Sequence, residues 1–368
     1  MDDDRQNRAT QGVRPDMAVN RHFDTLDSMR GVAAVAVVCM HAGAFLNPIA
    51  VPHGYLAVDL FFGLSGLVIA HAYGPRLDAG LGFGRFALLR LVRLYPLYLA
   101  GTLIGIVFFL IATRMGALGG LSGGQIGMAI GAALLMLPTP VMIGQKDWLQ
   151  PFNIVGWSLF FELAINLILV LVWRWLGPRR LACTILLSGV VPAMQTVTHG
   201  HADVGAEWST AAMGIARTVF SFFLGIAIQR LPRPAVVRTG WAWVLPMALL
   251  LLFLPPLTMG PYYDLLCIVL LFPALIYAGA IVEPRRSGVA GMLGMISFAV
   301  YALHSPLMPV INTAVRQFGG HMENNGPWSG MALVTGLVVI AWAADRFYDR
   351  PVRQWLGARL RTPKSAAA

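Results

Sequence analysis

Runs of about 20 apolar residues recur along the chain from Gly31 to Phe347, and this recurrence restricts the fold more than any other feature. Inside hydrocarbon, a backbone must satisfy its own hydrogen bonds, and the helix does so within one segment. The expected fold is therefore all-α: a polytopic integral membrane helical bundle. Only 12% of the 368 residues are charged, where a soluble protein carries about a quarter. The expected organisation is a cytoplasmic polar arm over 1–28, a membrane domain over 29–350 and a cytoplasmic basic tail over 351–368. The arm lacks the short apolar core of a cleaved signal peptide.

Eleven apolar segments stand out, at about 30–49, 54–73, 94–113, 125–143, 155–175, 181–198, 210–228, 241–258, 262–282, 291–312 and 327–347. The net charge of +10 is almost all arginine, since Lys146 and Lys364 are the two lysines. In a membrane protein this charge reports orientation before it suggests nucleic acid. Basic residues gather in the arm, at Arg76–Arg93, Arg174–Arg180, Arg230–Arg238, Arg285–Arg286 and Arg346–Arg361. The loops at 47–54, 199–209, 254–262 and 316–328 carry almost none. Eleven crossings would put Arg174, Arg179 and Arg180 on the wrong side. The glycine-rich segment 125–143, ending in LPTP, is expected to be re-entrant, leaving about ten crossings with both termini cytoplasmic.

Ionisable groups inside such segments are costly and point to function. Arg30 and His41 lie eleven positions apart, about three turns plus 20°, so they share a helix face about 16.5 Å apart in height. An arginine suits phosphate or carboxylate, and a histidine exchanges protons near neutral pH. An anion at the inner mouth and proton transfer deeper in would fit; so would an anchoring arginine and a packing histidine. In VDLFFGLSG, Asp59 and Ser65 are polar, while Gly63 and Gly66 permit close helix approach. Arg90 and Arg93 share a face at the start of the third span, where Pro96 fits a first turn. They could clamp phosphates or meet anionic lipid heads.

Trp157, Ser158 and Glu162 fall in WSLFFELAIN. Glu162 could orient a histidine or pair with a span arginine such as Arg217. Ser297, Tyr301 and His304 line one face in ISFAVYALHSPL. His22, His53, His199, His201 and His321 fall in the arm or loops and read as solvated. Cys39, Cys183 and Cys267 lie singly in apolar runs and suggest neither a disulfide framework nor a metal site.

Taken in order, LDSMRGVAAVAVVCMH, VDLFFGLSGLVI, RFALLRLVRLYPLY, WSLFFE, ISFAVYALHSPL and DRFYDRPVRQWL resemble the successive motifs of the membrane-bound acyltransferase-3 family. The resemblance covers roughly Asp24 to Leu356. It implies an acyl-CoA-dependent O-acyltransferase of the bacterial inner membrane. Such an enzyme moves an acyl group, most often acetyl, to a sugar hydroxyl of a surface glycan or glycolipid, as in exopolysaccharide modification. Its arginine–ten residues–histidine motif maps onto Arg30 and His41. His41 becomes the candidate general base, and Glu162 the second catalytic group that supports it. Arg30, Arg90 and Arg93 would hold the donor's phosphates. Asp59, Ser65, Trp157, Ser158, Tyr301 and His304 complete the expected substrate-binding set. No permanently bound cofactor and no metal are expected; the partners are acyl-CoA, a sugar or lipid-linked glycan acceptor and membrane lipids, with no nucleic acid. The sequence departs from the family pattern at Phe160–Phe161, at Ala164–Asn166 and at Asp349, where glutamate is common. The competing class is a proton-coupled transporter or flippase with His41, Glu162 and His304 as its relay. The absence of an inverted repeat and the basic inner ends weigh against it.

Overall fold

The computed structural model describes residues 22–116, 120–144 and 146–360. Most of the expected arm and the last eight residues of the expected tail lie outside the described residues. Eleven helices matter here. They are α1 (Asp24–His41), α2 (Ala57–Asp78), α3 (Phe83–Arg114), α4 (Gly123–Leu134), α5 (Gly156–Val172), α6 (Pro178–His199), α7 (Ala211–Arg230), α8 (Val244–Leu252), α9 (Pro261–Gly279), α10 (Gly288–Gln317) and α11 (Trp328–Arg359). Two strands of three residues, Val237–Thr239 and Val282–Pro284, pair in parallel. The bundle is all-α in every other respect that positions the site.

Among the described residues, eight helices are long and apolar enough to cross a membrane, against about ten expected crossings. The difference has two sources. α1 carries Asp24, Asp27 and Arg30 in its 18 residues. The segment expected at 241–258 is helical only over Gly240–Leu252. α1 nevertheless runs along α10 inside the bundle.

The segment expected to be re-entrant is a short helix, α4. Ser122 and Gln125 close its start as a capping box. Two tyrosines of α3 meet its end: Tyr95 donates to Leu134 O at 2.6 Å, and the Tyr98 hydroxyl lies 2.7 Å from Ala133 O. These contacts satisfy carbonyls that a helix end leaves open. That is how a helix too short to cross can stop against the bundle.

Small residues set the tight crossings. A Cβ on Gly66 of α2 would overlap the Phe222 carbonyl of α7, and one on Gly225 would overlap the Gly63 carbonyl. The Gly63–Gly66 pair thus does what its spacing predicts. A Cβ on Gly31 of α1 would lie 2.5 Å from Leu293 Cβ of α10. α1 and α10 therefore run in parallel with their backbones close.

One expectation changes. Pro96 lies inside α3, not in its first turn, because the helix begins well before the apolar segment, at Phe83. The last helix runs on to Arg359 through a π-helical turn at Asp345–Asp349, so the described start of the expected tail is helical. This turn brings Arg353 back toward the bundle.

Candidate active site

Among the helices lies a cavity of about 130 Å³. α1 contributes Arg30, α2 Ser65 and α3 both Arg90 and Arg93. α5 contributes Ser158 and Glu162, and α10 contributes Ser297 and Tyr301. The remaining wall is largely apolar. Glu162 Oε1 accepts from Ser65 Oγ at 2.8 Å and from Arg90 Nη2 at 3.2 Å. Three guanidinium groups line the cavity and each has a carboxylate partner: Arg90 meets Glu162, Arg30 lies 3.3 Å from Asp27, and Arg93 is loosely paired with Asp349. Guanidinium groups in a low-dielectric surrounding suit an anionic ligand.

Arg93 is held from two sides. Its guanidinium lies over the Phe298 ring at 5.2 Å, and its Nη1 is 3.9 Å from Asp349 Oδ2. Arg30 and Arg93 also line a wider vestibule of about 490 Å³ at the arginine-rich end of the bundle. Arg350 and Arg353 of α11 share that wall, paired with Asp345 at 2.6 Å and Asp349 at 2.7 Å. The route inward from this end is therefore lined with guanidinium groups. Arg350 and Arg353 were not singled out from sequence; the charged DRFYDRPVRQWL segment was their only signal.

On α10, Tyr301 belongs to two neighbourhoods. Its hydroxyl lies 2.6 Å from Ser158 Oγ, and Phe61 meets its ring edge-on at 5.4 Å. Its ring also lies 5.9 Å from that of His304, which in turn lies 5.1 Å from that of His41. His304 is buried, whereas His41, the last residue of α1, is exposed. The sequence predicts a common face for Arg30 and His41. Arg30 lines the cavity and His41 does not, because Tyr301 and His304 of the parallel α10 stand between them.

Four further expectations meet the geometry differently. Asp59 is not a cavity residue: it forms a buried ion pair with Arg217, with Nη2 2.5 Å from Oδ2. The arginine proposed for Glu162 thus belongs to Asp59, and Glu162 takes Arg90. Neither histidine is among the partners of Glu162, so it does not orient one. Trp157 faces away, edge-on to Phe62 and Phe161 at 6.5 and 5.8 Å. Ser158 lines the cavity, whereas Trp157 is buried against those two rings. His53, expected in solvent, is buried 3.0 Å from Asp264 Oδ1. Asp264 also accepts from Tyr55 and from the Ala202 N–H, tying the segments around Tyr55 and Ala202 to the first turn of α9 at the end opposite the arginines. Among the described residues, no three His, Cys, Asp or Glu side chains gather as metal ligands would.

A family model described as "Acyltransferase domain", of the acyltransferase-3 type, matches residues 23–346, most of the chain. The chain belongs to the acyltransferase-3 family. A relative, "Protein 2 in picA locus" from Rhizobium radiobacter, is 35% identical over 181 residues, covering 46% of this chain and 90% of the relative. No solved structure matches. As an acyltransferase-3 protein of the membrane, the chain assembles its six quoted motifs around one interior. Five of them supply the walls of the cavity and the histidine pair beside it, and the sixth supplies the vestibule.

Proposed function

We propose that this acyltransferase moves an acyl group, acetyl in the simplest case, from acyl-CoA to a sugar hydroxyl of a surface glycan or glycolipid. The observation that carries the reading is an arginine-lined cavity inside a membrane bundle, which shares Arg30 and Arg93 with a wider vestibule and shares Tyr301 with a histidine pair. The donor's phosphates sit among Arg30, Arg93 and the vestibule arginines, with Arg90 held by Glu162. By the positive-inside rule that end faces the cytoplasm, where acyl-CoA is found, which makes the inner membrane the site of action.

His41 is the general base of this proposal. Its Nδ1 lies 2.9 Å from Val37 O, which can only accept, so the proton sits on Nδ1 and the Nε2 lone pair is free. Nε2 takes the hydroxyl proton as the oxygen bonds to the thioester carbonyl carbon. The carbon–sulfur bond then breaks, and the thiolate recovers a proton from the imidazolium. Tyr301 must swing or the acyl chain must pass it for the two sides to meet.

The test incubates the purified protein with labelled acetyl-CoA and candidate glycans. Transfer of label to the glycan is expected. Absence of donor binding and of transfer, alongside glycan transport in liposomes, sinks the reading in favour of a transporter. Reporter fusions at both termini check the orientation: cytoplasmic activity is expected at each.

A further inference from the structure

His304 repeats the arrangement of His41. Its Nδ1 lies 2.9 Å from Tyr301 O and 3.1 Å from Val300 O. These carbonyls only accept, so in the neutral ring Nδ1 carries the proton and Nε2 is a lone pair. His304 is 1% exposed, and its Nε2 has no hydrogen-bond partner. A buried acceptor left unpaired is disfavoured by about 10- to 100-fold in equilibrium terms. The neighbouring ring cannot relieve it, because His41 Nε2 is an acceptor too. The two rings lie 5.1 Å apart and are inclined by 52°.

A single hydroxyl carries one proton and serves one imidazole. A ligand that serves both imidazoles at once brings two O–H donors held close together, as on neighbouring carbons of a sugar ring. We propose that the acyl acceptor is a vicinal diol. One hydroxyl donates to His41 Nε2 and is acylated; its neighbour donates to His304 Nε2 and fixes the sugar's orientation. The exposure of His41 gives the diol its entrance. This rests on the acyl-transfer reading and names the acceptor class within it. His304 keeps no part of the transferred proton: that proton passes from the attacking oxygen to His41 and on to the departing sulfur.

The test uses the full-length protein in lipid nanodiscs, labelled acetyl-CoA, and an alkyl pyranoside with its complete set of monodeoxy derivatives. The acylated position is read from the product. Loss of the hydroxyl next to that position is expected to lower kcat/KM by about 10- to 100-fold, while loss of a remote hydroxyl changes it little. In His304→Phe the ratio of the two rates falls close to one. Because it is a ratio within one preparation, it does not depend on how much of the variant folds. Equal kcat/KM for parent and neighbour-deoxy sugar in the unaltered protein overturns the diol proposal. So does a full penalty that persists in His304→Phe. Failure both to bind acetyl-CoA and to acylate any of the sugars overturns the acyl-transfer reading instead.

Discussion

Arg217 grips Asp59 with two nitrogens, Nε at 3.2 Å from Oδ1 and Nη2 at 2.5 Å from Oδ2, and both side chains are at most 2% exposed. A third nitrogen, Nη1, donates to Val204 O. The pair joins α2 to α7 and draws in the loop before α7. Removing one partner strands the other charge in the apolar interior. Arg217→Met is expected to destabilise the protein by about 3–5 kcal/mol. The double variant Asp59→Leu with Arg217→Met should recover most of that loss. Thermal melts of the purified protein check both; a single variant that melts like the parent contradicts the account.

Close packing at the glycines gives a sharper structural test. Gly225→Ala is expected to cost about 1–3 kcal/mol, since its Cβ meets the Gly63 carbonyl, which cannot turn aside. Gly43→Ala should be near neutral, because nothing lies within 4 Å of the added carbon. Similar melting losses for the two would show that the crossing of α2 and α7 gives way.

His41→Ala removes the proposed base while touching little else, because His41 is exposed at the end of α1. Acyl transfer should fall by about 10²- to 10⁴-fold with the melting temperature unchanged. Labelled acetyl transfer to glycan measures it, and parental activity removes His41 as the base.

Glu162→Gln separates charge from hydrogen bonding. The amide oxygen still accepts from Ser65, but the charge that holds Arg90 is gone. A fall of about 10- to 100-fold in kcat/KM for the acyl-CoA is expected. Initial rates at varied donor concentration report it. An unaltered value would mean that Arg90 needs no carboxylate to hold its place.

Tyr301→Phe keeps the ring and removes the hydroxyl. Ser158 Oγ retains its bond to Val155 O at 3.0 Å, so no buried donor is stranded. A stability loss of about 0.5–1.5 kcal/mol is expected in denaturation. A loss above about 3 kcal/mol would mean that the hydroxyl supports more than this one contact.

The fold class was legible because apolar length and arginine placement are properties of single segments. The gathering of Arg30, Ser65, Arg90, Arg93, Ser158, Glu162 and Tyr301 was legible only through the resemblance of their successive motifs to one family; each stretch read alone left packing or lipid contact open. Partner choice was not. Which of Asp59 and Glu162 meets Arg217 depends on how α2, α5 and α7 rotate against one another, and glycine contacts from distant segments set that rotation. His53 and Asp264, 211 positions apart, show the same limit: a loop histidine reads as solvated until the loop that covers it is in place. The separation of His41 from Arg30 escaped helical geometry because it is made by a neighbouring helix, α10.

Under the acyl-transfer proposal, Tyr301, shared by the cavity and the histidine pair, would make the two substrates answerable to each other. A donor that displaces the ring alters the surroundings of His304 before any bond changes. Linkage then requires symmetry: whatever factor the donor applies to acceptor affinity, the acceptor applies to donor affinity. One aromatic ring would thus let an enzyme fed from two ends sense when both are occupied.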